Sequence, residues 1–226
     1  MARPTSGWTQ RGISSRAWTR QADAGLGSGQ ARAKATSKET EAGEAAPFKT
    51  GLTHVDRSGT LHMVDVGGKA ATRRLAIAMS RITLSAAAFA ATCDNALAKG
   101  DVLTVAKIAG IQAAKRCAEL IPLCHTLSLS SAQVHIAPDA SRPHTFLLLA
   151  CARTAGQTGV EMEALTAASV ASLTVYDMTK ALSKASVIGD TRLLLKLGGK
   201  SGRFEADVEP EVLAAVPADW LEEYDL

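Results

Sequence analysis

Two stretches of this sequence carry alanine and other small residues at helical spacing, and that pattern limits the folds open to the chain more than any other feature. In the first, Val102, Ala106, Ala109, Ala113, Cys117 and Leu120 fall on one narrow face at about 100° per residue. In the second, Ala164, Ala167, Ala168, Ala171, Val175, Met178 and Leu182 do the same. A face built from alanine lets a helix approach its neighbour closely, because no bulky side chain holds the backbones apart. The opposite faces are unusual for helices that meet only water. Ile108, Ile111 and Lys115 share one, and Val170, Leu173, Asp177 and Lys180 share the other. Aliphatic residues mixed with charges there predict an interface or a cleft.

The surface these helices would pack on reads as strand. A short β-like run, TLHMVDV, spans 60–66, and RRLAIAMSRITL alternates over 73–84. SAAAFAATCDNALA suits a helix over 85–98. The first alanine helix opens at Gly100-Asp101, an N-cap signal, and is predicted to stop at Pro122. Strands are predicted at 128–137 and 144–153 around the turn PDASRP, then the second alanine helix at 158–181, then a last strand at 186–197. Without a strict βαβ rhythm, the order predicts an α+β fold with a mostly antiparallel sheet.

At 226 residues and 46% hydrophobic content the chain can bury one domain core with some excess. Charge divides it. Residues 1–50 carry a net +4 and residues 207–226 a net −7, which leaves +6 on the middle. We therefore expect a flexible extension over 1–50, a catalytic domain over 51–206 and an acidic tail over 207–226. The first 22 residues hold Arg3, Arg11, Arg16 and Arg20, three serines and no acid. That is transit-peptide composition, predicting the mitochondrial matrix; as a disordered linker it would leave the protein cytoplasmic.

Aromatics make up 4% of the chain and give no platform for stacking bases, and a net charge of +3 is too weak to argue for nucleic-acid binding alone. No apolar run reaches the ~20 residues a membrane span needs, and a soluble protein is expected. Cys93, Cys117, Cys124 and Cys151 form no C-x-x-C pair and no zinc pattern, so buried free thiols are expected.

Asp177 and Lys180 are three residues apart and therefore neighbours on a helix. They form an ion pair in water. In a cleft, desolvation would lower the lysine pKa and make the two a proton-transfer pair. His125 follows Pro122 in the apolar LIPLCHTL, as a core residue or a ligand to substrate. TGVEME places Glu161 and Glu163 at a helix start, where they suit the helix dipole and could also grip the N–H edge of a guanine-like ring. LKLGGKSG is not a P-loop, since Leu194 stands where its first glycine would be. Its glycine turn with Lys200 can still hold phosphate, as can Lys99 ahead of a helix N-terminus. Lys69, Arg73, Arg74 and Lys115 add to a set of cations at element ends. Together these residues suit an anionic small molecule handled by acid–base chemistry.

Five segments in order, LTHVDRSGTLHMVDVGGKAATRR, KGDVLTVAKIAGIQAAKR, LIPLCH, TGVEMEALTAASVASLTVYDM and GGKSGRF, resemble the MoaC family over about Leu52–Phe204. These are the cyclic pyranopterin monophosphate synthases of molybdenum-cofactor biosynthesis. The resemblance implies a ferredoxin-like α+β fold and dimers assembled into a hexamer, with active sites between subunits. It implies conversion of 3′,8-cyclo-7,8-dihydro-GTP, supplied by a radical SAM GTP cyclase, to the cyclic pterin with release of pyrophosphate. It assigns Asp177, Lys180 and Lys99 to catalysis. It places Leu123, Cys124, His125, Met162 and Glu163 along the substrate, with Glu161, Arg74, Lys69, Lys115 and Lys200 as supporting contacts. No cofactor is required by the sequence, and Mg²⁺ is left open. Thr126, Gln157 and Thr179 depart from residues common in the family, and Gln157 would weaken one phosphate contact. A catalytically silent nucleotide-binding scaffold and an RNA-binding module are the competing functions. The intact Lys99, Asp177 and Lys180 weigh against the first, and the lack of aromatic clusters against the second.

Overall fold

The computed structural model describes residues 60–222. The extension expected over 1–50, with its targeting segment, lies outside the described residues. Five strands form one antiparallel sheet: β1 (Thr72–Thr83), β2 (Ser131–Pro138), β3 (Thr145–Gly156), β4 (Val187–Leu197) and the two-residue β5 (Phe204–Glu205). Their order across the sheet is β2-β3-β1-β4-β5. Helices α1 (Ala86–Cys93), α2 (Val102–Lys115) and α3 (Cys117–Leu120) connect β1 to β2, and α4 (Glu161–Thr179) connects β3 to β4. Strands β1 to β4 with these crossovers give the βαββαβ order of a ferredoxin-like fold, the α+β class expected.

The small-residue faces explain the helical layer. Ala76, Ala78, Ala150 and Ala152 of the two central strands meet Ala164, Ala167 and Ala168 of α4 in one buried cluster. Antiparallel to α4 runs α2, and the two pack tightly at Gly110. A Cβ there would stand 2.9 Å from the Ala167 carbonyl oxygen and from Val134 Cγ2. Below them, Ile82, Phe146, Leu148, Val102, Ala106, Ala171 and Val175 fill the space with bulkier groups.

The acidic segment expected as a tail is packed onto the domain as far as it is described. Helix α5 (Pro210–Ala214) and a 3₁₀ turn (Ala218–Trp220) cross the other sheet face. There Val212 and Trp220 are buried with Leu75, Ile77, Met79, Leu147, Leu149 and Cys151. That is why β1 and β3 are buried on both faces, β1 although its sequence alternates. Two arginines hold the segment. Arg153 Nη2 donates to the Trp220 carbonyl at 2.8 Å. Arg81 pairs with Asp139 at 2.6 Å and Asp190 at 2.8 Å, and lies 3.6 Å from Glu209.

Other expectations need correction. The helix predicted to run to Pro122 breaks at Arg116, so Leu120 leaves the buried face and is exposed, while Gly110 and Ala114 join it. Leu182 lies beyond the end of α4 and is exposed. Residues 60–66 form no strand, only an isolated bridge at Leu61. Cys93 is exposed rather than buried.

Candidate functional site

Most of the residues expected to form one site fall into two groups at opposite ends of α4. At its C-terminal end, Asp177 Oδ1 lies 2.6 Å from Lys180 Nζ. Its Oδ2 lies 3.2 Å from Lys99 Nζ, which also donates to the Asp177 carbonyl at 2.8 Å. Helical spacing makes the first pair. The second needs the corner at Gly100, whose φ of +89° is a left-handed conformation that favours glycine. Asp101 then caps α2, accepting from the Thr104 amide at 3.0 Å, and the antiparallel packing brings Lys99 beside Asp177.

The electrostatics differ from the expected desolvated lysine. Asp177 and Lys180 are 58% and 50% exposed. Hydrogen bonds from Lys180, then from Lys99, hold the Asp177 carboxyl below its usual range, and Asp177 pushes Lys180 upward. Within one chain this is a hydrated carboxylate clasped by two ammonium groups, ready for an anion or proton carrier but not tuned to neutrality. Around it the outer helical face is uncovered: Ile108 and Leu173 are each 57% exposed.

At the N-terminal end of α4 lies a cavity of about 490 Å³. Leu123, Cys124 and His125 line it from the loop after α3, and Glu161, Met162 and Glu163 from the first turn of α4. Lys69 reaches it from the segment before β1. His125 Nε2–H donates to the Val64 carbonyl at 2.8 Å, which leaves Nδ1 as the ring's acceptor in its neutral form. Glu163 is 4% exposed, and burial pushes its carboxyl pKa up. Burial and the neighbouring Cys117 push the Cys124 thiol up to about 11, so it is a thiol and not a nucleophilic thiolate at neutral pH. The cavity thus offers apolar walls, one buried carboxyl suited to N–H recognition, an imidazole and a cation at the rim.

Arg74 stands next to this cavity rather than in it. Its Nε donates to the Gly156 carbonyl at 3.3 Å and its Nη2 to the Gln157 carbonyl at 3.2 Å. It lies so tightly against the glycine turn that a Cβ on Gly199 would be 1.9 Å from Nη1. Lys200 is exposed in that turn. Lys115 lines a different cleft with Ile111, Ser130 and Ser131. Val64 and Val66 also line the cavity, a role their β-like alternation concealed. Among the described residues, no group of three or more His, Cys, Asp or Glu side chains could hold a metal ion, and no helix is long and apolar enough to cross a membrane.

From Glu161 to Asp177 is sixteen residues of helix, about 24 Å at a rise of ~1.5 Å each, so the two groups cannot meet one reacting atom within a single chain.

Comparison with known proteins places this architecture. The sequence pattern of the MoaC family matches residues 63–199. The chain is 55% identical over 155 residues to the cyclic pyranopterin monophosphate synthase of Jannaschia sp. (strain CCS1), covering 69% of this chain and 94% of that protein. It is 54% identical over 159 residues to the enzyme of the same name from Oleidesulfovibrio alaskensis, covering 70% of this chain and 99% of that one. Molybdenum cofactor biosynthesis protein 1 of Mus musculus is 51% identical over 158 residues, which are 70% of this chain and 25% of the mouse protein. The chain belongs to the MoaC family.

Proposed function

We propose that this chain is a cyclic pyranopterin monophosphate synthase, converting 3′,8-cyclo-7,8-dihydro-GTP to cyclic pyranopterin monophosphate with release of pyrophosphate, an early step of molybdenum-cofactor biosynthesis. What supports this most directly is the division of the site. A nucleobase-sized cavity with a buried carboxyl lies at one end of α4, a carboxylate between two lysines lies at the other, and an aliphatic face lies open between them. Two copies meeting on that face would bring the cavity of one to the Asp177 end of the other. The assembly is then a homo-oligomer, and we take it to be a hexamer built as a trimer of dimers.

Each group has a part. Glu163, with Glu161, takes the N–H edge of the guanine-derived ring, while Leu123, Cys124, His125 and Met162 hold its faces. Lys69, Arg74 and Lys200 face the triphosphate and stabilise the departing pyrophosphate. Lys115 supports the substrate from the neighbouring cleft. Asp177, Lys180 and Lys99 move protons as one ring opens and the next closes. Covering this end with a second copy removes water from around Lys180, which favours its neutral form and so proton exchange with Asp177. A radical SAM GTP cyclase supplies the substrate. The arginine-rich, acid-poor composition of residues 1–22 supports a mitochondrial matrix address; without that signal the enzyme is cytoplasmic.

The test follows pyrophosphate and pterin from the purified cyclic nucleotide. Asp177→Asn and Lys180→Ala should each lose roughly 10²–10⁴-fold in rate. Mixing Asp177→Asn with His125→Ala should restore up to about a quarter of wild-type activity, because a hybrid dimer rebuilds one complete site. No turnover by a folded, oligomeric wild type would favour the silent nucleotide-binding homologue. No restoration on mixing, with subunit exchange confirmed, would refute the shared site.

A further inference from the structure

The segment Val64–Lys69 runs along the cavity, which its Val64, Val66 and Lys69 line, without regular secondary structure. Two side chains from elsewhere tie it down. His125 donates to the Val64 carbonyl, and Gln157 Nε2 donates to the Gly67 carbonyl at 3.2 Å. Lys69, two residues past the second tether, is the cation that the strap brings to the cavity; its own amide donates to the Val66 carbonyl at 2.9 Å. Gln157 is half-buried just after β3, and its backbone carbonyl accepts from Arg74 Nη2 at 3.2 Å. One residue therefore connects the strap to the arginine that is wedged against the glycine turn.

We propose that Gln157 is a positioning residue: its side-chain amide holds the strap so that Lys69 faces the cavity, and it acts on substrate only through Lys69. This deepens the synthase reading and rests on it for the identity of the substrate. It also replaces the expectation that a glutamine at this position merely weakens a phosphate contact. The essential property of the side chain is an N–H donor long enough to reach the Gly67 carbonyl. Alanine lacks the donor. Glutamate presents an acceptor to an acceptor. Lysine keeps a donor at similar reach.

Two measurements on the full-length protein test this. The first is steady-state turnover of the cyclic nucleotide. Gln157→Ala should raise KM about five- to tenfold while kcat changes less than twofold, Gln157→Glu should raise KM further, and Gln157→Lys should stay within twofold of wild type. In a Lys69→Ala background, Gln157→Ala should add less than twofold, because the residue through which it acts is already gone. Independent, multiplicative losses in the double variant would overturn the proposal, as would an unchanged KM in Gln157→Ala. The second measurement needs no activity: the rate of trypsin cleavage after Lys69, followed by mass spectrometry. Releasing the strap should speed this cleavage several-fold in Gln157→Ala and not in Gln157→Lys. An unchanged rate would overturn the tether. Should wild type fail to turn over the nucleotide, the synthase reading falls and the cleavage rates still decide the strap.

Discussion

Replacing Trp220 with alanine tests whether the C-terminal segment is part of the core. The indole is 3% exposed and sits with Leu75, Ile77, Met79, Leu147, Leu149 and Cys151 on the sheet face opposite α2 and α4. Burying an aromatic side chain of this size removes some 150–250 Å² from water, which at ~25 cal/mol/Å² amounts to about 4–6 kcal/mol. Substitution of buried Phe or Trp by alanine typically costs about 3–5 kcal/mol, the spread reflecting how far the site can collapse. Here Val216 and Leu221 are partly buried against the same cluster and can close some of the gap. The Arg153 bond to the Trp220 carbonyl does not depend on the side chain and continues to hold the backbone. We therefore expect the lower part of that range, about 3 kcal/mol. For a domain of this size, 1 kcal/mol corresponds to roughly 2–4 °C, so the Tm should fall by roughly 6–12 °C. Thermal and urea unfolding at fixed protein concentration would measure it, with truncation after Ala206 beside the point variant. Truncation also exposes Val212's share of the sheet and should cost more than Trp220→Ala. A Tm change under 2 °C in both variants would refute the packed segment and restore a free acidic tail.

Three further outcomes follow from other residues. Gly110→Ala gains about 1 kcal/mol of helix propensity. Its new methyl meets the Ala167 carbonyl and Val134 at 2.9 Å, and an overpacked core typically costs about 1–3 kcal/mol, so denaturant titration should show net destabilisation. Arg81→Ala leaves the Asp139 carboxylate, 2% exposed, without its cation, and should cost about 3–5 kcal/mol at pH 7. The Asp139 and Asp190 pKa values are depressed, so the stability they contribute is present above the ordinary value of 3.8 and is lost as pH falls through their folded values. Arg81→Ala should therefore lose less stability on acidification than wild type. Glu163 runs the other way. Its folded pKa is raised, so its favourable contribution belongs to pH below its ordinary 4.5 and is lost as pH rises. Glu163→Gln should raise the Tm at pH 7, with the gain shrinking as pH falls through the raised folded value and gone below 4.5, while substrate affinity drops.

Much of the fold was legible because it rests on local periodicity. The alternation of β1, the turn between β2 and β3, and the Asp101 cap of α2 are properties of neighbouring residues, and each appears where the sequence predicts it. The alanine faces announced close helix packing, and Ile108 and Leu173 on the outer faces announced an uncovered surface. The C-terminal segment was misread because its charge dominates its composition, while its two anchoring side chains, Val212 and Trp220, are isolated among acids and loops. Nothing in a local pattern says that a sheet face strands away lacks a cover. The strap at Val64–Lys69 was misread for a related reason: alternating apolar residues look like a strand until a partner is required, and here the partners are single side chains, His125 and Gln157.

The family and the class of fold were determined by the sequence alone, since both depend on residue identity and short-range order. Which residues work together was decided only by the tertiary structure. Lys99 meets Asp177 across 78 residues of chain because α2 and α4 pack antiparallel. Glu163 and Asp177, on one helix and within one short motif, are kept apart because a helix is rigid and advances with every residue. A helix carries its two ends to different places, however close the residues stand in sequence.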